Sequence, residues 1–321
     1  MKICVLIKHV PDKNASLKIN ETGSGIDMTN LTLITNESDN YALEEALLIK
    51  EKHGGEVVAC TLGNESSVQA IKDALSKGAD RGIFLNDEKF NNLDVLSLSK
   101  VFAEALKEES FDLIFSGLQS DDAGNCQLGL LIAEHLNTSH ASLVMETEVL
   151  GDSTIKAKRE LESGWFQWTE LDFPASLTIQ SGINSPRYAS LRGIMMMKKK
   201  PIETKNAEDL KIDLTSLCSI DKMYIPEKTK ETTFIDGTTG EVVKKVENYF
   251  SKKYYKYGYS CLTSSGTSAL YLAIKALSKK KKNLKILIPT YSCSAILNAV
   301  YLSGNIPIIN DIDPNSFNLD L

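Results

Sequence analysis

Short apolar runs rich in β-branched residues alternate with helical patterns along the first part of the chain. The apolar runs predict strands, which fall at 3–7, 56–61, 82–85 and 113–116. The patterns between and after them predict helices, which fall at 41–51, 66–76, 93–107 and 126–136. This alternation is typical of an α/β fold with a doubly wound, mostly parallel sheet and helices on both faces. In such a fold, ligands gather at the carboxyl ends of the strands.

The pattern changes twice further along the chain. Between residues 144 and 179, short strands with acidic residues among apolar ones predict an antiparallel finish to the sheet, and Pro174 closes a turn there. After Pro201 the sequence becomes polar and irregular. Such a composition predicts an extended arm without a fold of its own, which covers residues 201–250.

A new helical pattern starts near Val242, and a second, smaller α/β pattern follows it. Its predicted helices are 269–277 and 295–303, and its predicted strands are 285–288 and 306–310. Two strands paired in parallel are marginally stable by themselves. We therefore divide the chain into a first domain at 1–200, the arm at 201–250 and a partial α/β fragment at 251–321. The junction falls between about residue 237 and about residue 257.

Composition excludes several classes of function. The 321 residues are 42% hydrophobic, enough for a sizeable core, and the net charge of −6 argues against nucleic acid and anionic membranes as partners. The six cysteines are scattered without a Cys-x-x-Cys pair, which favours a reducing, cytoplasmic setting. No apolar run is long enough to insert into a membrane. The four histidines lack metal-site spacing, and no catalytic nucleophile motif is present.

One loop has the chemistry of a nucleotide site. It follows the strand at 113–116 and precedes a helix, so that Gly117 and Gly124 allow close backbone approach and free N–H groups at the helix start can meet a phosphate. Asp121 and Asp122 could accept hydrogen bonds from ribose hydroxyls. The alternative is that these two aspartates simply cap the helix. The loop is neither a Gly-x-Gly-x-x-Gly fingerprint nor a P-loop.

A second segment, residues 188–200, combines an apolar run with three consecutive lysines. Taken alone, this pattern is typical of a core helix with a solvated basic end. The other interpretation is an exposed apolar anchor. Methionines at 195–197 would suit such an anchor, because their flexible side chains adapt to varied partner surfaces.

Several segments resemble, in order, the electron transfer flavoprotein β family. They include the opening segment 2–12, the Ala-Leu-x-x-Gly-Ala-Asp-Arg-like segment 74–81, the loop 117–122 and the segment 184–191. The resemblance runs from residue 1 to about residue 250. It implies an adenine-nucleotide α-hydrolase-like fold and an electron-carrier subunit without catalysis of its own.

The resemblance also implies a bound nucleotide, which is AMP in most members and a second FAD in bifurcating ones; the form of this loop favours AMP. The residues it assigns to the nucleotide are Leu6, Asn36, Asp39, Gly63, Gly117, Gln119, Ser120, Asp121, Asp122, Asn125, Gln127 and Gly129. An FAD-bearing α subunit is the implied heterodimer partner, and this chain would contribute one wall of the flavin site. The arm is expected to contact that subunit.

In the same family the segment around Leu191 is the recognition loop for flavin-dependent dehydrogenases. The docking residues that this resemblance implies are Tyr188, Leu191, Ile194, Met195, Lys198, Lys199 and Lys200. Arg192 and Gly193 stand where many members have Pro-Asn, so that the partner dehydrogenase can differ.

The last part of the chain resembles the N-terminal part of the pyridoxal-phosphate sugar aminotransferases. The resemblance rests on segments 264–270, 288–291 and 311–314, and it implies that Gly266 and Thr267 are vestigial ligands of the cofactor phosphate. The catalytic lysine and the acidic partner of the pyridinium nitrogen lie beyond this segment in the family, so we expect no aminotransferase activity. Two other hypotheses stay open: a stand-alone adenine-nucleotide-binding regulatory module and, more remotely, an aminotransferase.

Overall fold

The chain forms two compact units in a computed structural model, Met1–Pro226 and Glu227–Leu321, and each is described by itself. The structure describes residues 1–227, 232–254, 258–280, 283–290, 292–311 and 313. The aminotransferase-like positions 291, 312 and 314–321 therefore lie outside the described residues. The division falls after Pro226, whereas the sequence pattern placed the end of the first domain at residue 200.

The described first unit contains eleven strands and six α-helices. The strands are β1 (Lys2–Leu6), β2 (His9–Pro11), β3 (Leu33–Thr35), β4 (Glu56–Leu62), β5 (Arg81–Leu85), β6 (Leu113–Gly117), β7 (Ser139–Leu150), β8 (Thr154–Glu160), β9 (Phe166–Asp172), β10 (Ala175–Ile179) and β11 (Ile202–Lys205). The helices are α1 (Glu37–His53), α2 (Val68–Lys77), α3 (Val95–Leu106), α4 (Leu128–Leu136), α5 (Leu191–Met197) and α6 (Ala207–Leu210).

Nine of these strands form one sheet in the order β11-β5-β4-β1-β6-β10-β7-β8-β9. The strands from β11 to β7 are parallel to their neighbours, and β8 and β9 continue the sheet antiparallel. Strands β2 and β3 form a separate antiparallel pair. The predicted α/β class with a large, mostly parallel sheet is confirmed.

Two hydrophobic layers flank the sheet because successive residues of a strand point to opposite faces. On β1, Ile3 and Val5 pack in the layer that contains α1 and α2, whereas Cys4 and Leu6 pack in the layer with α3 and α4. All four side chains are buried. The sheet is therefore covered on both faces, as the near-continuous apolar runs of its central strands require.

The antiparallel finish is shorter than the sequence pattern predicted. Within residues 139–179 the antiparallel pairs are β7–β8 and β8–β9, and β10 returns to the middle of the sheet, where it runs parallel between β6 and β7. The prediction is wrong for residues 175–179. All five residues of β10 are buried, which fits a central strand covered on both faces rather than an edge hairpin.

The chain after Pro201 begins with regular structure rather than with an arm. Residues 202–205 form β11, which adds to the edge of the sheet beside β5. Helix α6 follows, and its Ala207 and Leu210 are buried in the α3–α4 layer. Beyond it, Asp94 accepts hydrogen bonds from the backbone N–H groups of Leu217 (2.6 Å) and Cys218 (3.0 Å). This part of the expected arm therefore belongs to the first unit.

The second unit contains three described helices and two strands. They are α7 (Thr239–Tyr254), α8 (Gly266–Leu277), β12 (Lys285–Pro289), α9 (Ser294–Leu302) and β13 (Ile306–Asn310). Strands β12 and β13 pair in parallel, as predicted. The buried apolar side chains among its described residues are Ile288, Ala299 and Val300.

Candidate functional site

The loops after β1 and β6 meet at the point where the order of the parallel strands reverses. The chain passes from β1 to β4 on one side and later reaches β6 on the other side of β1. Such a reversal leaves a crevice at the carboxyl ends of the two strands, which is where open α/β sheets bind ligands. The predicted nucleotide loop, residues 117–129, starts at this crevice.

Asn36 and Ser38 form hydrogen bonds with the backbone of this loop. The Asn36 side-chain amide donates to the backbone oxygen of Gln119 (2.9 Å) and accepts from the backbone N–H of Asp121 (2.9 Å). The hydroxyl of Ser38 donates to the same Gln119 oxygen (2.7 Å). Asn36 is 1% exposed, so it shapes the loop rather than facing solvent. The sequence prediction missed Ser38, whose place at the start of α1 beside Asn36 was the available signal.

Asp39 joins the ends of the two strands. Its carboxylate accepts from the backbone N–H of Lys8 after β1 (2.7 Å) and from the backbone N–H of Gly117 at the end of β6 (3.1 Å). Burial raises the pKa of Asp39 to about 7, although hydrogen bonds from Lys8, Asn36 and Gly117 act in the opposite direction. The buried Asp39 therefore connects the backbone after β1 with the end of β6, on the two sides of the crevice.

Three predicted site glycines are placed by close protein contacts. A Cβ on Gly117 would lie 2.2 Å from an Asp39 carboxylate oxygen and 2.2 Å from the Ser38 hydroxyl. A Cβ on Gly129 would lie 2.4 Å from the Ser116 hydroxyl. At Gly63, after β4, the nearest atom would be the Ser67 hydroxyl at 2.2 Å. These glycines allow protein elements to approach one another, which sequence reasoning could not separate from approach to a ligand.

The outer part of the loop presents polar side chains to solvent. Gln119, Asp121, Asp122, Asn125 and Gln127 are exposed, and Ser120 is half-buried. Leu6 differs from all of these predicted residues because its side chain is buried in the core. At the site it can therefore offer only its backbone.

Asp122 forms an ion pair with Lys8 across the crevice, at 2.7 Å between the Asp122 carboxylate and the lysine Nζ. Burial raises the pKa of Asp122, but the hydrogen bond and charge of Lys8, together with hydrogen bonds from Ser120 and Ala123, outweigh burial, and the pKa is lowered. The alternative role of Asp121 and Asp122 as helix caps is wrong, because α4 begins at Leu128 with Gln127 in the cap position. Lys8 was not among the predicted site residues.

The start of α4 lacks a side-chain cap from its N-cap residue. Gln127 makes no side-chain cap, so that no side chain from this position occupies the first N–H groups of the helix. Next to Gly129, the hydroxyl of Ser116 is buried and has no hydrogen-bond partner among the residues that the structure describes. A helix N-terminus beside an unpaired hydroxyl is chemically suited to an anionic oxygen.

The second predicted site, residues 188–200, is an exposed helix. The side chain of Ser190 caps α5 by accepting from the backbone N–H of Gly193 (3.0 Å). Tyr188 is 96% exposed, Leu191 83% and Met195 73%, and Ile194, Lys198 and Lys199 are also exposed. The core-helix interpretation is therefore wrong. Lys200 differs from the other predicted docking residues, because its Nζ donates to the backbone oxygens of Leu75 and Ala79.

In the second unit, Gly266 and Thr267 form the first turn of α8. The hydroxyl of Ser265 caps this helix by accepting from the backbone N–H of Ser268 (3.2 Å). A Cβ on Gly266 would meet no atom within 4 Å. The turn is thus open, but Ser265 already occupies one of its donors.

The fold defines an α/β protein with a doubly wound, mostly parallel sheet, and comparison with known proteins identifies the family. Residues 26–210 match the family model described as the electron transfer flavoprotein domain. The chain is 36% identical over 255 residues to the electron transfer flavoprotein subunit beta of Methylophilus methylotrophus, which covers 77% of this chain and 96% of that protein. The chain therefore belongs to the electron transfer flavoprotein family.

Further relatives carry the same description. The chain is 35% identical over 251 residues to the subunit beta of Bradyrhizobium diazoefficiens, covering 77% of this chain and 98% of that protein. It is 31% identical over 250 residues to the subunit beta of Mus musculus, covering 77% of this chain and 97% of that protein.

The second unit matches a different family. Residues 227–321 match the DegT/DnrJ/EryC1/StrS aminotransferase family. Both resemblances seen in the sequence are confirmed. None of the described helices combines the length and the apolar character that a membrane span requires.

Proposed function

We propose that this chain acts as the cytoplasmic β subunit of an electron transfer flavoprotein. It would pair with an α subunit that holds FAD and carry electrons from flavin-dependent dehydrogenases to a downstream acceptor. The observation that supports this role most strongly is the match to β subunits, which extends over nearly the whole length of those relatives. The chain would contribute one wall of the flavin site and perform no substrate chemistry alone.

We propose AMP as the nucleotide at the crevice between β1 and β6. The residues there fit an adenosine monophosphate: the uncapped start of α4 and the unpaired Ser116 hydroxyl suit its phosphate. The exposed Asn125 and Gln127 can donate and accept hydrogen bonds at the same loop. The bound nucleotide would serve a structural purpose by filling the crevice that Asp39 and Asn36 organise. A second FAD is the alternative ligand.

The docking function is assigned to α5 and its flanks. Leu191 and Met195 would enter an apolar pocket on the dehydrogenase, because large apolar side chains this exposed are unfavourable in water unless a partner covers them. Arg192, Lys198 and Lys199 are exposed around them, so a pocket with an acidic rim would be complementary. The second unit would be an appendage without aminotransferase activity.

Co-expression with an α subunit from the same genome tests the proposal. The complex would be purified through a tag on this chain, and its visible spectrum and its released nucleotides would be measured. We expect a yellow complex with one FAD and one AMP per heterodimer. Addition of pyridoxal phosphate should produce no Schiff-base absorption, which separates this role from the aminotransferase hypothesis.

The opposite outcome is equally clear. A colourless chain that retains an adenine nucleotide and does not bind the α subunit would replace the carrier role with that of a stand-alone regulatory module. Within a yellow complex, Leu191→Ala should lower the rate of reduction by a dehydrogenase at limiting complex concentration. The same variant should leave the FAD and AMP contents unchanged, because Leu191 is on the surface.

A further inference from the structure

The exposed apolar helix α5 is too short to be stable by itself. It has seven residues, and isolated helices below about 12 residues are marginal in water. Its outward side chains, Leu191 and Met195, gain little from burial in this chain because they are mostly exposed. Its orientation must therefore come from contacts on its other side and at its ends. We call residues 184–200 the docking segment, a term that rests on the proposed function.

The middle of the docking segment lies directly on the C-terminal end of α2. A Cβ added to Gly193 would be 2.0 Å from the backbone oxygen of Ser76, a distance that real Cβ atoms do not adopt. Only glycine permits this approach of the two backbones. On the same side, Met197 packs against the hydrophobic core.

Lys200 fastens the end of the segment to the same helix. Its Nζ donates to the backbone oxygens of Leu75 (2.9 Å) and Ala79 (2.5 Å), at the end of α2 where carbonyl groups lack helical partners. A cation at a helix C-terminus also interacts favourably with the helix dipole. Burial lowers the pKa of Lys200, and the nearby charge of Asp80 partly offsets that effect.

The start of the segment is held by α1. The Arg187 guanidinium donates to both carboxylate oxygens of the buried Glu44 (2.8 to 3.1 Å) and to Glu51 (2.5 Å). The Asn184 amide donates to the backbone oxygen of Tyr41 (3.0 Å). The docking segment is thus attached to α1 at one end and to α2 at the other.

We infer that Gly193 and Lys200 are positioning residues for partner docking: they hold α5 on α2 so that Leu191 and Met195 face the partner dehydrogenase in a fixed arrangement. A segment ordered before contact avoids the entropy loss of ordering during association, and this strengthens binding without a new contact. The basic side chains around the apolar pair point to a dehydrogenase pocket with an acidic rim as the occupant. Lys200 therefore acts through hydrogen bonds within this chain, whereas Lys198 and Lys199 are exposed and available to the partner.

The test uses the full chain in complex with its α subunit and a flavin-dependent dehydrogenase chosen because it reduces the wild-type complex. Gly193→Ala forces α5 away from Ser76, and Gly240→Ala is the matched control because its Cβ would meet no atom within 4 Å. We expect Gly193→Ala to raise the KM of the dehydrogenase for the complex roughly tenfold, by loss of preorganisation. The kcat and the FAD content should be unchanged, and amide exchange over 191–197 should become faster.

A second pair of variants applies if Gly193→Ala does not fold. Lys200→Met removes both hydrogen bonds to α2 and should raise the KM, whereas Lys200→Arg keeps the charge and donors and should restore much of the wild-type value. A wild-type KM in both Gly193→Ala and Lys200→Met would overturn the inference. If Leu191→Ala raises the KM in that case, docking through α5 stands. If Leu191→Ala has no effect either, the docking function falls with it.

Discussion

Asp39 has an unusual titration because it is buried, an effect that outweighs its two backbone hydrogen-bond donors. Its pKa lies at about 7 in the folded chain, against an ordinary value of 3.8. Between these values the folded chain binds more protons than the unfolded chain, so the free energy of unfolding falls as pH rises through this window. The stability that the protonated carboxyl provides is complete below pH 3.8 and is lost as pH passes about 7.

Asp39→Asn should therefore make stability less dependent on pH. The variant cannot ionise, and its amide can accept from only one of the two N–H donors, so it should be less stable than the wild type by about 1–3 kcal/mol in acid. Urea unfolding at about pH 5 and about pH 8 measures the fall in both proteins. We expect a smaller fall in the variant. Equal falls would show that Asp39 does not titrate in this window.

Ser116 provides a second prediction at the residue scale. Its buried hydroxyl has no hydrogen-bond partner in the described part of the chain, so Ser116→Ala should raise the free energy of unfolding of the nucleotide-free chain by about 1 kcal/mol. Ser99→Ala is the matched control, since the Ser99 hydroxyl is buried but donates to the Leu96 oxygen at 2.6 Å. That change should lower stability by about 1 kcal/mol.

Added AMP separates the two roles of Ser116. If its hydroxyl contacts the phosphate, AMP should raise the melting temperature of Ser116→Ala less than that of the wild type, by mass action through a weaker Kd. Equal shifts would remove Ser116 from the proposed nucleotide site. Both measurements use thermal unfolding at matched AMP concentrations.

At the scale of elements, the attachment of the docking segment to α1 depends on the shape of Arg187 as well as its charge. The guanidinium binds Glu44 through two of its nitrogens, and the Glu44 side chain is only 7% exposed. The same contacts raise the pKa of Arg187, through its hydrogen bonds to Glu44 and then to Glu51. A lysine cannot reproduce this planar pair of donors.

Arg187→Met should destabilise the first unit by about 3–5 kcal/mol, because it leaves the buried Glu44 carboxylate unpaired. Arg187→Lys should fall between that variant and the wild type. Arg192→Met is the matched control: Arg192 is exposed, and its change should alter stability by less than about 0.5 kcal/mol. Chemical denaturation monitored by tryptophan fluorescence gives these values. A neutral Arg187→Met would show that the ion pair adds nothing to stability.

The sequence predicted the elements whose apolar period is regular and missed those defined by distant partners. Strands such as β1 and β4, with their continuous apolar runs, lie within one residue of their predicted bounds. Strand β11 was missed because Ile202 is the single strongly apolar residue among four, and pairing with β5 alone makes it a strand. The apolar pattern of α5 did not distinguish a core helix from an exposed one, since period alone does not say which surface a helix meets.

In the candidate site, too, the sequence predicts features with a local pattern and misses those that depend on distant residues. The loop 117–129 could be found from its position between a strand and a helix, but the network beneath it could not. Ser38 and Lys8 reach the loop across 81 and 114 positions of sequence, a separation that no local pattern encodes. The glycines were identified as site residues, yet the structure gives them protein neighbours.

At the scale of the whole molecule, the two units differ in how much apolar surface they bury. The first has two extensive hydrophobic layers. In the described part of the second, Ile306 and Ile309 of β13 are 44% and 61% exposed, and Leu302 of α9 is 65% exposed. A two-stranded sheet with such a small core is marginal, so the second unit should contribute little cooperative stability.

A chain that ends at Pro226 should therefore unfold cooperatively in urea with the midpoint that tryptophan fluorescence reports for the full chain. The comparison is direct because both tryptophans, Trp165 and Trp168, lie in the first unit. Residues 227–321 alone should show a gradual, non-cooperative loss of helix by circular dichroism, since too few apolar side chains are buried to support a two-state transition. A sharp transition in 227–321 would instead establish an autonomous domain, and a lower midpoint in the shortened chain would show that the second unit stabilises the first.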